Sequence, residues 1–553
     1  MSRVKKTACQ MQKRRIWTFF TLFVLAFGIL IYRMVDIQII NNEKYSKRVE
    51  NQSTEKIELN SGRGHILDRN GDKLTDTTKQ KILVIEKEKL NNNYSLIDLI
   101  KKATGIQEMD IYKAIQDQKD KNIIQLSIER VDSSYKKQLE EKGILVEDQI
   151  LRYSPKNLLT HTIGYISKKD KVGSMGIEKS MDKILKNSNE KYLSVFKAGA
   201  NSSELKMLKG GIKSVTKGKD DRHIKLTIDS KIQRLVENTT DKEENPNAVV
   251  ISDVSTGEIL AMSSRPKFDP NDVSKSLNGT DGEFENRAIG VTYPPGSVFK
   301  IAVLFSALEN GVVDENYRYT CTGSTPIGTG KSVLRCHNRQ GDGEQTLEQA
   351  FANSCNPAFY DIAKKLGEEK IMATVEKLHL FEKVDIGLDE EKSKEKPKKI
   401  ALNNLAIGQE NIEFTPLQIN QMTQIIANNG TYEPLRLLSS IVDDSGKVVK
   451  TFEPTKNEEV ISPYISNRVK EIMKGVSLDG TAKSLKDLPG GSGVKTGTAQ
   501  STKNGVAVEH GWITGYYPAN RPKYVITVIV EGSEKGNKSA VPVFKEICEG
   551  IDK

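Results

Sequence analysis

Three short groups of residues in this 553-residue chain have the types and spacing of a nucleophilic acyl-transfer site. Ser297 and Lys300 form a Ser-x-x-Lys pair, Ser354 and Asn356 form a Ser-x-Asn pair, and Lys495 begins a Lys-Thr-Gly-Thr run. A serine hydroxyl is a poor nucleophile at neutral pH and needs a base within hydrogen-bond reach. Each motif alone is expected by chance in a long chain, but their order and combination indicate serine acyl-transfer chemistry.

The first motif can supply the nucleophile and its base. On a helix, Ser297 and Lys300 lie on one face, one turn apart. The turn-forming residues 293–296 precede them and predict that Ser297 begins the helix, where free backbone amides favour a developing oxyanion. Lys300 becomes a base only if burial or a second cation, such as Lys495, lowers its pKa. The alternative is an ordinary Ser-Lys pair at the start of a helix.

The second motif can relay a proton and position the substrate. Ser354 and Asn356 follow the helical segment 347–353 and precede Pro357, which predicts a turn. A serine hydroxyl there can pass a proton to a leaving amine, and an asparagine amide can hold Lys300 and bind a substrate amide. The alternative is a residue that simply caps a helix.

The third motif can bind a carboxylate. Lys495, Thr496, Gly497 and Thr498 follow a glycine-rich stretch and have strand character. Gly497 lets a substrate lie close to the backbone, while the lysine and both threonine hydroxyls can receive a carboxylate. The alternative is an edge strand that carries a lysine for solubility.

An uncharged stretch near the N-terminus predicts one membrane-spanning helix. Ile16 to Tyr32 holds no charged residue and extends about 26 Å as a helix, at the short end for a bilayer core. Six basic residues precede it without an acid, so residues 1–15 are expected in the cytoplasm and the chain after the 16–35 anchor outside. A cleaved signal peptide is the alternative, but no small-x-small cleavage site follows.

The net charge of +10 does not indicate a nucleic-acid partner. Seven basic residues and one acid lie within residues 1–36, which leaves about +4 for the other 517 residues. The basic excess therefore belongs to a single-pass protein of the cell membrane, and no nucleic-acid partner is expected.

The chain after the anchor is expected to form two domains, 36–222 and 223–553. Residues 95–150 have apolar residues at helical spacing, and residues 197–222 are rich in Lys, Gly and Ser, which predicts an exposed hairpin or linker. In the second domain, strands at both ends with helices between them predict an α+β fold whose sheet is closed by both termini. The segments expected to build it are strands at 225–229, 248–254, 259–262, 511–516 and 524–530 and a closing helix at 543–551.

With these motifs, the chain resembles the class B penicillin-binding proteins, the monofunctional D,D-transpeptidases of peptidoglycan synthesis. The resemblance extends over residues 60–553 and includes several stretches outside the three motifs. They are residues 63–71, 152–155, 173–178, 286–288, 293–297, 406–409 and 415–418.

The resemblance implies a transpeptidase domain of the penicillin-binding and serine β-lactamase type on an elongated N-terminal pedestal. It implies that Ser297 is acylated by a D-Ala-D-Ala stem peptide or by a β-lactam, with Lys300 as base and the backbone amides of Ser297 and Thr498 as oxyanion hole. The remaining implied site residues are Ser354 and Asn356 for proton relay and positioning, and Lys495, Thr496, Gly497 and Thr498 for substrate binding.

The resemblance also implies partners. No cofactor is needed for the chemistry, and the acceptor is an amine on a neighbouring stem peptide of a nascent glycan strand. Since the pedestal begins soon after the anchor, the chain has no room for its own glycosyltransferase domain. A polytopic SEDS-type glycosyltransferase and other cell-wall proteins are therefore the expected membrane partners.

Two other functions use the same motifs. A β-lactam sensor would use the fold as a binding module, but sensors usually carry several membrane segments. A β-lactamase or D,D-carboxypeptidase must direct water onto the acyl-enzyme, and no Glu-x-x-x-Asn pattern follows the second motif in the manner of class A enzymes.

A second cluster of reactive residues lies between the first two motifs. Cys321, Cys336, His337 and Asp342 offer two thiolates, an imidazole and a carboxylate, which would satisfy tetrahedral zinc with no open position. A structural zinc site is one expectation. A Cys321–Cys336 disulfide closing a glycine-rich loop is the other.

Overall fold

The computed structural model of the chain divides into two compact units. It describes residues 2–42, 45, 54–154, 158–186, 188–196, 212–215, 221–329, 331–409, 411–453, 456–503, 506–532 and 537–553. The first unit comprises residues 1–60, 79–150 and 190–215, and the second comprises residues 61–78, 151–189 and 216–553.

The N-terminal helix is long enough for the predicted anchor. An α-helix over Ser2–Val35 continues as a π-helical turn over Asp36–Ile40. Among the residues that the structure describes, Arg14–Ile40 is the one helix that is long and apolar enough to cross a membrane, with a mean hydropathy of 2.0 over its apolar window. Its Phe, Leu and Ile side chains from Ile16 onward are exposed, as lipid-facing side chains must be. The polar residues after the anchor, up to about Glu55, are also expected from the sequence to continue the helix. Asp36–Ile40 does so, the strand Thr54–Glu58 does not, and residues 43, 44 and 46–53 lie outside the described residues.

Two small three-stranded sheets and several helices form the rest of the first unit. One sheet orders the strands Thr54–Glu58, Glu190–Phe196 and Ile212–Val215, and the other orders Ile123–Ile128, Thr78–Glu86 and Leu145–Leu151. The helices are Lys87–Leu90, Tyr94–Thr104, Glu108–Asp117 and Ser133–Glu141.

The prediction for the first unit was partly wrong. Residues 95–150 are not helical throughout, because the β-branched run at 123–128 pairs with a neighbouring strand instead. Of the expected linker, residues 197–211 and 216–220 lie outside the described residues, while 212–215 forms the second strand of a hairpin.

A five-stranded antiparallel sheet organises the second unit. Its strand order is Ile259–Arg265, Asn247–Asp253, Tyr524–Val530, Val506–Tyr517 and Gly493–Lys503. The predicted hairpin at 248–262 and the two predicted C-terminal strands are confirmed. The helices Ser230–Thr240, Pro416–Ala427 and Asn537–Ile551 pack on this sheet. The predicted α+β fold closed by both ends is therefore confirmed.

A helical layer carries the first two motifs. Lys300–Glu309 packs against Asn356–Leu366, Glu368–Lys377 and Pro463–Leu478, and its residues 300–307 are all buried. Because neighbouring elements bury this part of the helix, packing fixes the position of Lys300 at its start. The other helices of the unit are Thr160–Ile163, Gly176–Ser180, Asp182–Leu185, Leu347–Ala352 and Leu402–Leu405, with 3-10 turns at Val273–Ser276, Gly296–Phe299 and Lys483–Leu485.

Short strands complete the second unit. A four-stranded sheet orders Val448–Thr451, Leu438–Val442, His223–Leu226 and Ile66–Leu67, and the remaining strands form three two-stranded ribbons. The ribbons are Arg318–Cys321 with Gly343–Thr346, Ser324–Pro326 with Val333–Arg335, and Thr431–Tyr432 with Glu458–Glu459.

The boundary between the two units is not a single position at residue 222, because each unit contains several segments of the chain. Ile66–Leu67 pairs in parallel with His223–Leu226, which joins residues 61–78 to the second unit. The buried guanidinium of Arg152 donates to Glu178 (2.7 Å) and to the Gly64 carbonyl (2.8 Å). These contacts join residues that are far apart in the sequence. They explain why residues 61–78 and 151–189 belong to the second unit although they precede residue 222.

Candidate active site

Ser297 lies at the predicted helix start. A 3-10 turn over Gly296–Phe299 leads into the helix that begins at Lys300. The Gly296 amide donates to the Gly408 carbonyl at 2.8 Å. Gly296 has a φ of +54°, and a Cβ there would lie 2.5 Å from the Thr498 carbonyl oxygen. Only glycine permits this approach, which brings Ser297, itself half-buried, beside the third motif.

The turn before Ser297 is fixed by buried contacts. Tyr293 exchanges two backbone hydrogen bonds with Phe414, at 3.0 and 2.9 Å. Its hydroxyl donates to Glu531 at 2.6 Å, and the Trp512 indole donates to the Pro294 carbonyl at 3.1 Å. These anchors come from distant parts of the chain, and sequence reasoning did not identify them.

Lys300 is fully buried and donates to three acceptors. Its Nζ lies 2.7 Å from the Ser354 carbonyl oxygen, 3.2 Å from Ser354 Oγ and 2.7 Å from Asn356 Oδ1. Burial lowers the pKa of Lys300 from 10.5 to about 7. A lysine with such a pKa is substantially neutral at neutral pH and can accept a proton, as a general base requires.

The second motif is a strained turn at the start of a helix. Ser354 has a φ of +55°, a left-handed conformation that is unusual for a non-glycine residue. Asn356 begins the helix Asn356–Leu366, with Pro357 in its first turn. While Asn356 Oδ1 accepts from Lys300, its Nδ2 donates to the Arg335 carbonyl at 3.0 Å. These two bonds define the orientation of the amide.

The third motif lies on the edge strand of the five-stranded sheet. Lys495 Nζ donates to Ser354 Oγ and to the Thr496 carbonyl, both at 3.0 Å. Burial lowers the pKa of Lys495 well below its ordinary value, and the charge of Lys300 lowers it further. Both lysine amines thus reach one serine hydroxyl. A Cβ on Gly497 would lie 3.0 Å from the Pro295 carbonyl oxygen, so the strand also packs tightly against the nucleophile turn.

Two contacts that the sequence did not predict complete the cleft. Gln409 Nε2 lies 3.4 Å from the Thr498 carbonyl oxygen. The Thr481 and Thr496 hydroxyl oxygens are 2.6 Å apart. Gln409 belongs to a stretch that the family resemblance had marked, whereas no pattern marks Thr481, which lies well before Lys495 in the sequence.

The predicted cysteine cluster forms with one different member. The ligand atoms of Cys321, Cys336, Asp342 and Cys355 lie within 4.8 Å of one another. The prediction of His337 as a ligand was wrong. Side-chain burial alternates along residues 333–337, so Cys336 points inward while His337 is exposed. The predicted Cys321–Cys336 disulfide is not formed, since both thiols are free.

Comparison with known proteins agrees with this geometry. A family model for the penicillin-binding protein transpeptidase domain matches residues 247–549, and one for the penicillin-binding protein dimerisation domain matches residues 58–220. The transpeptidase match alone covers more than half of the chain.

Relatives match along most of their length. The chain is 29% identical to stage V sporulation protein D of Bacillus subtilis, over 95% of this chain and 84% of that protein. It is 26% identical to the peptidoglycan D,D-transpeptidase FtsI of Escherichia coli, over 96% and 90%. The solved complex of PBP2 and MreC from Helicobacter pylori contains a chain with the same fold, at a TM-score of 0.63, 24% identity and coverage of 90% and 99%. The chain therefore belongs to the class B penicillin-binding proteins.

Proposed function

We propose that the chain is a serine-type peptidoglycan D,D-transpeptidase that cross-links stem peptides through an acyl-enzyme on Ser297. The observation that carries the proposal is the convergence of two buried lysine amines on Ser354 Oγ, beside the helix start that holds Ser297. Two amines and a hydroxyl linked in this way can move a proton between the nucleophile and a leaving group.

Each motif then has a chemical role. Lys300 takes the proton of Ser297 as the hydroxyl attacks the carbonyl of the penultimate D-Ala. Ser354 passes a proton to the departing D-Ala amine, and Asn356 positions the donor peptide. The backbone amides of Ser297 and Thr498 stabilise the oxyanion, and Lys495, Thr496 and Thr498 bind the terminal carboxylate. An amine from a second stem peptide then attacks the acyl-enzyme and forms the cross-link.

The proposal is tested by intact mass spectrometry of the full-length chain in detergent after exposure to benzylpenicillin. One added penicilloyl group per chain is expected, and the Ser297→Ala variant should show none. Ser274→Ala, which changes an exposed serine, is the matched control and should keep the adduct. A stable adduct on the Ser297→Ala variant would place the nucleophile elsewhere and reject the assignment.

The same function requires a place in the membrane. We infer a single-pass topology with residues 1–15 in the cytoplasm and the catalytic domain outside, where peptidoglycan lies. The nascent glycan strands would come from a SEDS-type glycosyltransferase. MreC in the H. pylori complex is an example of a second protein bound to a relative. If the anchor and the exposed surface of residues 79–150 could be replaced without loss of complementation, this partnership would be wrong.

The cysteine cluster fits a structural zinc ion with a changed ligand set. Tetrahedral Zn–S bonds of about 2.3 Å place the sulfur ligands just under about 4 Å apart. The observed Cys336–Cys355 sulfur separation is 3.9 Å, and Cys336 Sγ lies 3.5 Å from Asp342 Oδ2. The hydrogen bond between these two thiols lowers the pKa of Cys336 and raises the pKa of Cys355, so Cys336 is the thiol that the site favours as a thiolate before a metal binds. Four protein ligands leave no open position, so the ion would brace the loop without taking part in the reaction.

The zinc assignment is tested by metal analysis of protein purified without chelator. About one zinc per chain is expected in the wild type and in His337→Ala, and much less in Cys336→Ser. Loss of zinc from His337→Ala would restore the ligand set expected from the sequence. Absence of metal together with a thiol count two short of the unmodified chain would establish a disulfide instead.

A further inference from the structure

The geometry points to Thr481 as a specificity-determining residue that makes the donor site select a free C-terminal carboxylate. This inference rests on the proposed function, in which Thr496 receives that carboxylate. Thr481 is absent from the three motifs and lies between the helix Pro463–Leu478 and the edge strand that carries Lys495.

Thr481 is held in place by the segment that leads to the second motif. Its amide donates to the Ala352 carbonyl at 3.1 Å, and Ala352 ends the helix just before Ser354. A Cβ on Gly480 would lie 2.4 Å from the same carbonyl oxygen, so the glycine permits the close approach. The following amide of Ala482 donates to the Val476 carbonyl at 3.1 Å. The backbone of Thr481 is thus fixed relative to Ser354.

The Thr481 side chain completes the third motif. Its hydroxyl oxygen lies 2.6 Å from that of Thr496, which is a short and strong contact between two hydroxyls. Thr496 is only 2% exposed, whereas Thr481 is half-buried and keeps part of its surface toward solvent. The pair therefore links the buried edge strand to a residue that solvent reaches.

A hydroxyl pair of this kind offers one outward proton to a charged acceptor. Each hydroxyl has one proton, and one of the two protons is used inside the pair. The other proton is free to point outward, and the internal bond polarises it. A carboxylate can only accept, so it matches the outward proton with either oxygen. The carbonyl of a terminal amide also accepts this proton, but the bond to a carboxylate is charge-assisted and about twice as strong.

The charge of Lys495 cannot supply this selectivity alone. Lys495 is fully buried and already donates to Ser354 Oγ and to the Thr496 carbonyl, so part of its hydrogen-bonding capacity is occupied. The hydroxyl pair is the neutral part of the carboxylate site. Its removal should weaken carboxylate recognition without removing the proton relay at Ser354.

The test compares two donors on the full-length chain in detergent. One is a D-alanyl thioester that ends in a free carboxylate, and the other is its matched primary amide; release of the thiol reports acylation. In Thr481→Val, kcat/KM for the carboxylate donor should fall about tenfold, mainly through KM, because one hydrogen bond to a charged group is lost. The value for the amide donor should fall by much less, because a neutral carbonyl accepts a weaker hydrogen bond, so the preference for the carboxylate donor narrows.

Two controls distinguish a role in donor selectivity from a purely structural role of Thr481. Thr481→Ser keeps the hydroxyl and should keep the preference. An equal loss for both donors in Thr481→Val, or an unchanged preference, would overturn the inference and leave Thr481 as a structural residue. Wild-type protein that forms no penicilloyl adduct and releases no thiol would instead reject the proposed function, which is a distinguishable outcome.

Discussion

The pH dependence of acylation should report the burial of Lys300. The side chain is fully buried, and its pKa falls from 10.5 to about 7. At pH 7 this raises the neutral fraction from about one in 3,000 to about one half, a gain of about 10³ in available base. Since a base must be neutral to accept a proton, the rate constant should rise about tenfold per pH unit well below pH 7 and level off above about pH 8.

The measurement is the second-order rate constant for acylation by a β-lactam between pH 5.5 and 9. The reaction is stopped by rapid quenching, and the acylated fraction is determined by intact mass spectrometry. Lys300→Ala should be about 10²–10⁴ slower, because it loses general-base catalysis, and the inflection near pH 7 should disappear with it. Lys470→Gln is the matched control. Lys470 is also a lysine whose pKa burial lowers, but it contacts Asn429 rather than Ser354.

Two results would refute this reasoning. One is a wild-type profile that keeps rising to pH 9 without an inflection, which would mean that Lys300 retains an ordinary pKa. The other is an inflection near pH 7 that persists in Lys300→Ala, which would assign the titration to another group.

Two further predictions concern the supports of the site. Glu531→Ala should lower the free energy of unfolding by about 3 kcal/mol in urea denaturation, because the buried Arg287 guanidinium loses its close carboxylate at 2.8 Å and keeps only the exposed Glu285 at 3.7 Å. The exposed pair of Asp98 with Lys102 is the control: Asp98→Ala should cost less than about 1 kcal/mol, and equal losses would contradict the argument. Gly480→Ala should slow acylation and destabilise the fold by about 1–3 kcal/mol, because its Cβ would lie 2.4 Å from a backbone oxygen. Gly475→Ala, whose Cβ would meet its nearest neighbour at 3.8 Å, should leave acylation unchanged, and a similar effect of both variants would argue against a steric cause.

Local patterns predicted much of the fold because the relevant forces act locally. The apolar run at 248–254 followed by a turn and a second apolar run predicted a hairpin, and the structure has it. Pro294 and Gly296 predicted the tight turn before Ser297. Helical geometry alone predicts that Ser297 and Lys300 lie close together. That the three motifs form one site could be predicted only from their resemblance to a known family.

The parts that the sequence did not predict depend on contacts between distant residues. Tyr293 and Glu531 meet only because the central strand Tyr524–Val530 ends beside the turn that precedes Ser297. Cys355 was assigned to the second motif alone, since nothing in its local sequence shows that Cys336 lies 3.9 Å away. Conversely, His337 directly follows a cysteine and was therefore predicted to be a metal ligand. The side chains of this extended segment alternate between the interior and solvent, and His337 faces solvent.

The second motif connects these separate supports. Ser354 is held in a left-handed conformation, which costs about 1–3 kcal/mol and persists only where the surroundings over-determine it. Lys300 and Lys495 donate to its hydroxyl, and Lys300 also donates to its carbonyl. Thr481 binds the carbonyl of Ala352 on one side of the turn, and Asn356 on the other side binds the Arg335 carbonyl, beside the cysteine cluster. Hydrogen bonds from both buried lysines and from Asn356, beside the cysteine cluster, therefore converge on this one strained turn. A substitution that displaces the turn itself should slow acylation before it alters the rest of the fold.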